Sequence, residues 1–250
     1  MAEEIVVVKF GSELITDQNG LNPEAIQGYV NGLCKYHEGA SLVVITSGAV
    51  ATGRHILSEN GKDNTKFSDQ QRAQLGGSVV FTAWQSAFER AGHMAGGLLI
   101  THHDLTLSAE SNSLRNLLQR NISSGIISVI NANDALNLAE LLQLPAGADN
   151  DALASHIARF MHATRLRLFT LGGGIVDDTD QLVELVTEQN IGSVTDMVSQ
   201  RKPGNGRGGI QNKLASAWDY VIHTKGIAEI SKPDKLMGGN TQTVLRSIAC

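Results

Sequence analysis

The stretch "IVVVKFGSELIT", residues 5–16, decides the fold. Its first half is a run of β-branched residues without polar alternation, and a strand of that kind has to be covered on both faces. Its second half ends the run with Lys9 and Phe10, then Gly11 and Ser12, which let backbone N–H groups come close to an anion. The same grammar recurs in "SLVVIT" (41–46), "GGLLIT" (96–101), "GIISVIN" (125–131) and "LRLFTL" (166–171). All four read as buried strands. Between the runs lie segments with helical spacing, at Pro23–Tyr36, 69–91 and 111–123. Strand and helix in alternation mean parallel crossovers and an α/β, doubly wound sheet. No Pro- or Ser-rich linker and no internal repeat divides the chain, so a single domain over residues 1–250 is expected.

Composition narrows the classes further. The 250 residues carry 42% hydrophobic and 18% charged side chains, ordinary values for a globular chain. A formal net charge of −5 argues against a general nucleic-acid binder, which needs clustered Lys and Arg. Cys34 and Cys250 stand far apart without metal-ligand spacing, so neither a disulfide framework nor a zinc site is expected. The start "MAEEIVVVKF" lacks the basic region of a signal peptide. No apolar run approaches the roughly 20 residues of a membrane helix. Elimination points to the cytoplasm and to no membrane partner.

In open parallel sheets ligands collect beyond the carboxyl ends of the strands. Those ends read "KFGSE", "ITSGAV", "LITHHD", "INANDA" and "FTLGGG". A lysine embedded between Val8 and Phe10 points to phosphate contact. Ser47 and Gly48 make a tight strand-to-helix turn whose amides can hold an oxyanion or carboxylate. It is no nucleophile elbow, because G-x-S-x-G is absent and Thr46 stands where a glycine should. Asn131, Asn133 and Asp134 suit a turn, and the cluster also offers a carboxylate to a ligand's ammonium group.

Asp149, Asn150 and Asp151 in "AGADNDALAS" (146–155) precede an apolar stripe of Ala152, Leu153, Ala154, Ile157, Ala158 and Phe160. Helix capping explains one such residue. Further along, "KPGNGRGGIQNKLASAWDYVI" (202–222) holds Gly204-x-Gly206-x-x-Gly209. It lacks the preceding strand of a dinucleotide fingerprint and the Gly-Lys-Ser/Thr of a Walker loop. What remains is a glycine loop feeding a helix supported by Leu214, Trp218 and Val221, with Lys213 in its first turn. A lysine there opposes the helix dipole, and a bound polyphosphate reverses the sign of that interaction. His102 and His103, adjacent on an extended segment, point to opposite faces and do not form a metal pair.

Taken in order, "VVVKFGS", "VVITSGAVATGR", "SVINANDAL", "GADNDALAS" and "GNGRGGIQNK" make the chain resemble the amino acid kinase family, and within it the glutamate 5-kinases. "LLITHHDL" and "NLLQRNISSGIISVIN" match between them, and the resemblance covers nearly the whole chain. It implies a three-layer αβα sandwich with a mainly parallel central sheet, of carbamate kinase-like fold. A substrate half would span about residues 1–165 and a nucleotide half about 166–250. Many members carry a further C-terminal PUA domain, which is not expected within these 250 residues.

The implied reaction is ATP plus L-glutamate giving L-glutamyl 5-phosphate and ADP, the first step of proline synthesis, with Mg2+ carried on the nucleotide. By the same matching Lys9 and Lys213 are the phosphate-binding lysines and Asp151 the aspartate that orients them. Ser47, Gly48, Asp134 and Asn150 fall at glutamate-binding positions, with Asp149 organising the site. Gly11, Ser12, Thr170, Leu171 and the run Arg207, Gly208, Gly209, Ile210, Gln211, Asn212 and Lys213 fall where nucleotide is held. Family members are usually homo-oligomeric, and the next enzyme of the proline pathway is a candidate partner.

The chemistry is consistent with these assignments. A glutamate side chain, with an ordinary pKa of about 4.3, is already ionised at neutral pH and needs no general base. Phosphoryl transfer asks instead for alignment and positive charge. A lysine buried beside another cation tends to lose its proton, and an aspartate between the two would keep both charged. Some positions depart from the family pattern. Ala132 replaces a common Glu, Leu171 a common Asp, "GGGIVDD" a Gly-Leu-Tyr type turn, and Gln211–Asn212 a Ser-Thr pair. These leave two other readings open, a sister kinase acting on another carboxylate or phosphate, and a non-catalytic binding or regulatory homologue.

Overall fold

The structure is a computed structural model, and it describes residues 4–101, 104–105, 108–135, 150–200, 209–237 and 242–248. At its centre β1 (Ile5–Phe10) is buried on both faces, as its uninterrupted apolar run requires. Val7 packs into one hydrophobic cluster, while Val6 and Val8 pack into the other. After the short α1 (Ser12–Ile15) a two-stranded hairpin, β2 (Thr16–Asp17) and β3 (Gly20–Leu21), leads into α2 (Pro23–Tyr36). The start of α2 is dictated locally. Asn22 accepts a hydrogen bond from the Ala25 amide, and Pro23 occupies the position where its missing N–H costs nothing.

The chain continues through β4 (Ser41–Ile45), α3 (Ala49–Glu59) and α4 (Asp69–Arg90). Ser68 and Gln71 close a capping box on α4. α3 crosses α4 at close range, and a Cβ on Gly53 would lie 1.8 Å from the Arg72 carbonyl oxygen. Next come β5 (Met94–Ile100), α5 (Ser108–Ser123), β6 (Ile126–Ala132), α6 (Asn150–Phe160) and β7 (Arg165–Phe169). The final described elements are β8 (Leu185–Val186), α7 (Ile191–Ser199), α8 (Ile210–Thr224), β9 (Ile227–Ser231) and β10 (Gln242–Leu245).

The main sheet runs β5-β6-β4-β1-β7-β9-β10-β8. Every neighbouring pair is parallel except β9 with β10. Helices α5 to α8 contribute buried residues to the cluster on one face, and α2 and α4 to the cluster on the other. This is the three-layer αβα sandwich expected from the sequence. From β1 the chain winds outward through β4 to β5 and β6, then crosses to β7 on the opposite side of β1. Strand connections leaving to opposite sides open a crevice at the carboxyl ends, here beside Lys9.

One strand departs from its sequence reading. The run 96–101 reads as buried, whereas among the described residues β5 is an edge strand paired only with β6, and Met94 and Leu99 are 62% and 46% exposed. An apolar run alone does not say whether a strand has one neighbour or two. The hairpin, β8, β9 and β10 carry too few patterned residues to have been read in advance.

The face that holds α2 also buries charge. Arg167 is 1% exposed and Glu229 3%, on the adjacent strands β7 and β9, where they are register partners. Arg167 Nη2 lies 2.7 Å from Glu229 Oε2, and Arg165 donates to the other oxygen of the same carboxylate. The Arg167 guanidinium sits 4.4 Å from the Tyr36 ring centroid. Beside this group His37 is held neutral, its pKa lowered to about 4 by burial and then by Arg167 and Arg165. Glu229→Ala is expected to destabilise the fold by about 3–5 kcal/mol, because it leaves Arg167 buried without its counter-charge. In urea unfolding, Arg167→Leu combined with Glu229→Leu should recover most of that loss.

Candidate active site

Three charged side chains from distant parts of the chain meet at the carboxyl edge of the sheet. Lys9 comes from the end of β1, Asp151 from the first turn of α6 and Lys213 from the first turn of α8. Lys9 Nζ lies 2.8 Å from Asp151 Oδ1, and Lys213 Nζ lies 2.8 Å from Asp151 Oδ2. Asp151 is 0% exposed, Lys9 3% and Lys213 7%. Burial pushes the Asp151 carboxyl up, but the attraction of Lys9 and then Lys213 outweighs it and holds the group below the ordinary carboxylate range. The carboxylate therefore stays ionised, and it offsets the cost of a lysine placed at the start of α8.

Beside this triad lies a cluster of neutral polar groups. Asn150 Nδ2 donates to Ser47 Oγ at 2.8 Å and to Asn131 Oδ1 at 3.2 Å. Asn150 Oδ1 is buried and has no hydrogen-bond partner among the described residues. Ser47 follows β4, and Gly48 is the N-cap of α3 at φ +93°, a conformation that suits glycine. A Cβ there would also come within 2.9 Å of Ile15 Cδ1. Asp134 follows β6 in a turn, its amide bonded to the Ala132 carbonyl.

The helix starts differ in a telling way. α2 and α4 satisfy their first amides with their own Asn22 and Ser68 side chains, whereas the glycine caps of α3 and α8, Gly48 and Gly209, supply none. Amides left open in this way suit an anionic ligand.

The expected nucleotide positions that are described lie just after β1, just after β7 and at the start of α8. Gly11 and Ser12 follow β1 directly. Thr170 follows β7 and bonds through its amide to the Ser231 carbonyl, and Leu171 is 59% exposed at the same strand end. At the start of α8, Gln211 Nε2 donates to the Val198 carbonyl and so ties that helix to α7. An apolar groove of about 340 Å³ between α7 and α8 is lined by Trp218, Leu214 and Val198 among others, and it shares no residue with the triad. Asp149, Arg207, Gly208, His102, His103 and Cys250 lie outside the described residues. Among the described residues no helix is long and apolar enough to cross a membrane.

Two supporting contacts were missed by the sequence reading. Trp84 Nε1 donates to Thr46 Oγ1 at 2.9 Å. Asp219 Oδ2 accepts from Ser155 Oγ at 2.9 Å and from Arg159 Nη1 at 2.8 Å, joining α8 to α6 below the triad. No local signal marks such pairs, since each joins residues far apart in sequence.

Residues 4–228 match the amino acid kinase family. The chain is 32% identical over 224 residues to a glutamate 5-kinase of Shouchella clausii, covering 87% of this chain and 59% of that protein. It is 30% identical over 256 residues to a glutamate 5-kinase of Haemophilus influenzae, covering 100% of this chain and 67% of that protein. The chain thus spans only about six-tenths to two-thirds of the relatives' length. A solved carbamate kinase from Giardia lamblia bound to AMP-PNP superposes with a TM-score of 0.70 at 10% identity, covering 98% of this chain and 99% of that one. This last likeness is one of fold.

The triad makes a test of its own. Asp151→Asn keeps the side-chain shape and removes the carboxylate that both buried ammonium groups face, so it is expected to cost about 3–5 kcal/mol in urea unfolding. The sign of the pH effect follows from the depressed pKa. The stabilisation by Asp151 is present above the unfolded carboxylate value of about 3.9 and is lost as pH falls through its lower folded value. Below about pH 4 the variant should therefore lose less stability than the parent chain.

Proposed function

The chain belongs to the amino acid kinase family, and from that premise we propose that it transfers the γ-phosphoryl group of ATP to the side-chain carboxylate of L-glutamate. The observation that carries this reading is the meeting of the Lys9 and Lys213 ammonium groups on the buried carboxylate of Asp151. A transferring phosphoryl group spreads negative charge over its oxygens, and fixed cations in a dry site stabilise that charge without reorganising.

In the proposed step a glutamate carboxylate oxygen attacks the γ-phosphorus. The new bond joins that oxygen to phosphorus, the bond from phosphorus to the β–γ bridging oxygen breaks, and ADP departs with that oxygen. No proton moves. Lys9 and Lys213 hold the phosphoryl oxygens, and Asp151 keeps the two lysines aimed. The open amides at Gly48 would receive the main-chain carboxylate of glutamate. Asp134 and the unpartnered Asn150 Oδ1 would receive its ammonium group. Lys213 and the open start of α8 fit a triphosphate, as does the turn at Gly11 and Ser12. Both Asp151 oxygens face ammonium groups, so Mg2+ would come on the nucleotide's phosphates, where it supplies further charge neutralisation.

Leu171, apolar and 59% exposed where a polar strand-end contact is usual, favours a second reading, a homologue that binds the acid without turning it over. ADP release with a panel of carboxylic acids, with hydroxylamine to trap an acyl phosphate, separates the two. Glutamate-dependent hydroxamate is the expected result. Glutamate binding without turnover of any acid would establish the second reading. Lys213→Ala should lower kcat by about 10²-fold or more, the scale of a lost transition-state donor. Asp134→Ala should mainly raise the glutamate KM, by about tenfold or more, as expected when an ionic hydrogen bond is lost.

A further inference from the structure

Trp84 lies in α4 with no surface exposed. Its ring packs on Phe10, with centroids 5.2 Å apart, and on Phe88 at 6.1 Å. Packing alone would be served as well by a phenylalanine. An indole brings an N–H that must find a partner when buried. That partner is the Thr46 hydroxyl, at 2.9 Å, and Thr46 is also fully buried.

The direction of this bond constrains the next one. Once the Trp84 N–H occupies a lone pair of the Thr46 oxygen, the hydroxyl proton has to point elsewhere, and the acceptor it meets is the Ser47 carbonyl at 3.3 Å. The Thr46 amide is fixed as well, donating to the Ile130 carbonyl at 2.8 Å. The Ser47 carbonyl and the Gly48 N–H belong to one planar peptide, so fixing the carbonyl fixes the direction of the N–H. That peptide enters the glycine cap of α3, and Ser47 Oγ receives Asn150.

We propose that Trp84 is a positioning residue, acting through the Thr46 hydroxyl to orient the Ser47–Gly48 peptide that receives the acceptor's carboxylate. This rests on the kinase reading for the identity of the acceptor, but not for the orientation of the turn. The hydrogen bond reaches the acceptor turn and not the lysine triad. Its loss therefore acts on acceptor binding and leaves phosphoryl stabilisation intact.

The test compares Trp84→Phe, Thr46→Val and Thr46→Ser in the full chain. Trp84→Phe should raise the L-glutamate KM by about 3–10-fold, the scale of one net hydrogen bond. The ATP KM and kcat should stay within about twofold. Thr46→Val should act in the same direction, the double variant should be no worse than Thr46→Val alone, and Thr46→Ser should keep the parent KM. An unchanged glutamate KM in Trp84→Phe would overturn the proposal. So would a joint fall of kcat, both affinities and the thermal midpoint, which is the pattern of a packing defect. Amide hydrogen exchange of the unliganded chain gives a readout independent of turnover. Trp84→Phe should speed exchange at Thr46 and Thr52, whose amides bond to the Ile130 and Gly48 carbonyls on either side of this peptide, relative to the rest of α3 and α4, and equal rates would sink the idea even if no acid is phosphorylated.

Discussion

A carboxylate with no solvent contact cannot remain ionised unless something pays the cost of its desolvation, and for Asp151 two ammonium groups do so together. The arrangement is reciprocal. Lys9 and Lys213 are both buried, and the carboxylate between them offsets the cost of taking two ammonium groups out of water. Among the described residues two ammonium groups face this one carboxylate, an arrangement that suits the arrival of an anion. This requirement fixes where the end of β1 and the starts of α6 and α8 lie relative to one another. It also accounts for Asp151 standing in the first turn of its helix, where the dipole favours a negative charge.

Around the triad, the neighbouring groups divide the labour by charge. Ser47, Asn131 and Asn150 are neutral and bond mainly to each other, so they can orient a small polar ligand without competing for a phosphoryl group. A glutamate acceptor needs no base, since its carboxylate is ionised already. That is in keeping with a site assembled from lysines, amides and glycine-capped helix starts rather than a His or Cys dyad. Leu171 stands apart from this economy. It is exposed and places apolar surface where the other strand ends offer polar groups.

Legibility in the sequence followed the range of the interactions. The strands at 5–10, 41–45, 126–132 and 165–169 were visible because a buried parallel strand writes its environment as a continuous apolar run. α2 was visible because helical spacing runs from Pro23 to Tyr36, and the structure adds the local chemistry of its start at Asn22 and Pro23. β5 was visible as a strand but not as an edge, because neighbour count is a property of the sheet. The Arg167–Glu229 pair left no trace. It depends on a register between strands more than 50 residues apart, and each residue alone reads as a surface charge. At the site, the residues alone name Lys9, Asp151 and Lys213 one by one, and their meeting was expected only through the family resemblance, because nothing local says which strand ends lie side by side. The Trp84–Thr46 bond was hidden for the same reason.

Two contacts between α6 and α8 explain how that convergence is held. Asp151, Ser155 and Arg159 recur every four residues, so they line one face of α6. Lys213 and Asp219 lie six residues apart on α8, and they meet the first member and the later two respectively. A single contact between two helices sets a distance but leaves each free to roll. A second contact, nearly two turns away, removes the roll. Tyr220, whose hydroxyl donates to the Ala163 carbonyl just beyond the end of α6, anchors the far end of the pair. The lysine and the aspartate are thus aligned by groups that take no part in the chemistry. Rotation of either helix would break the lower contacts as well as the upper one.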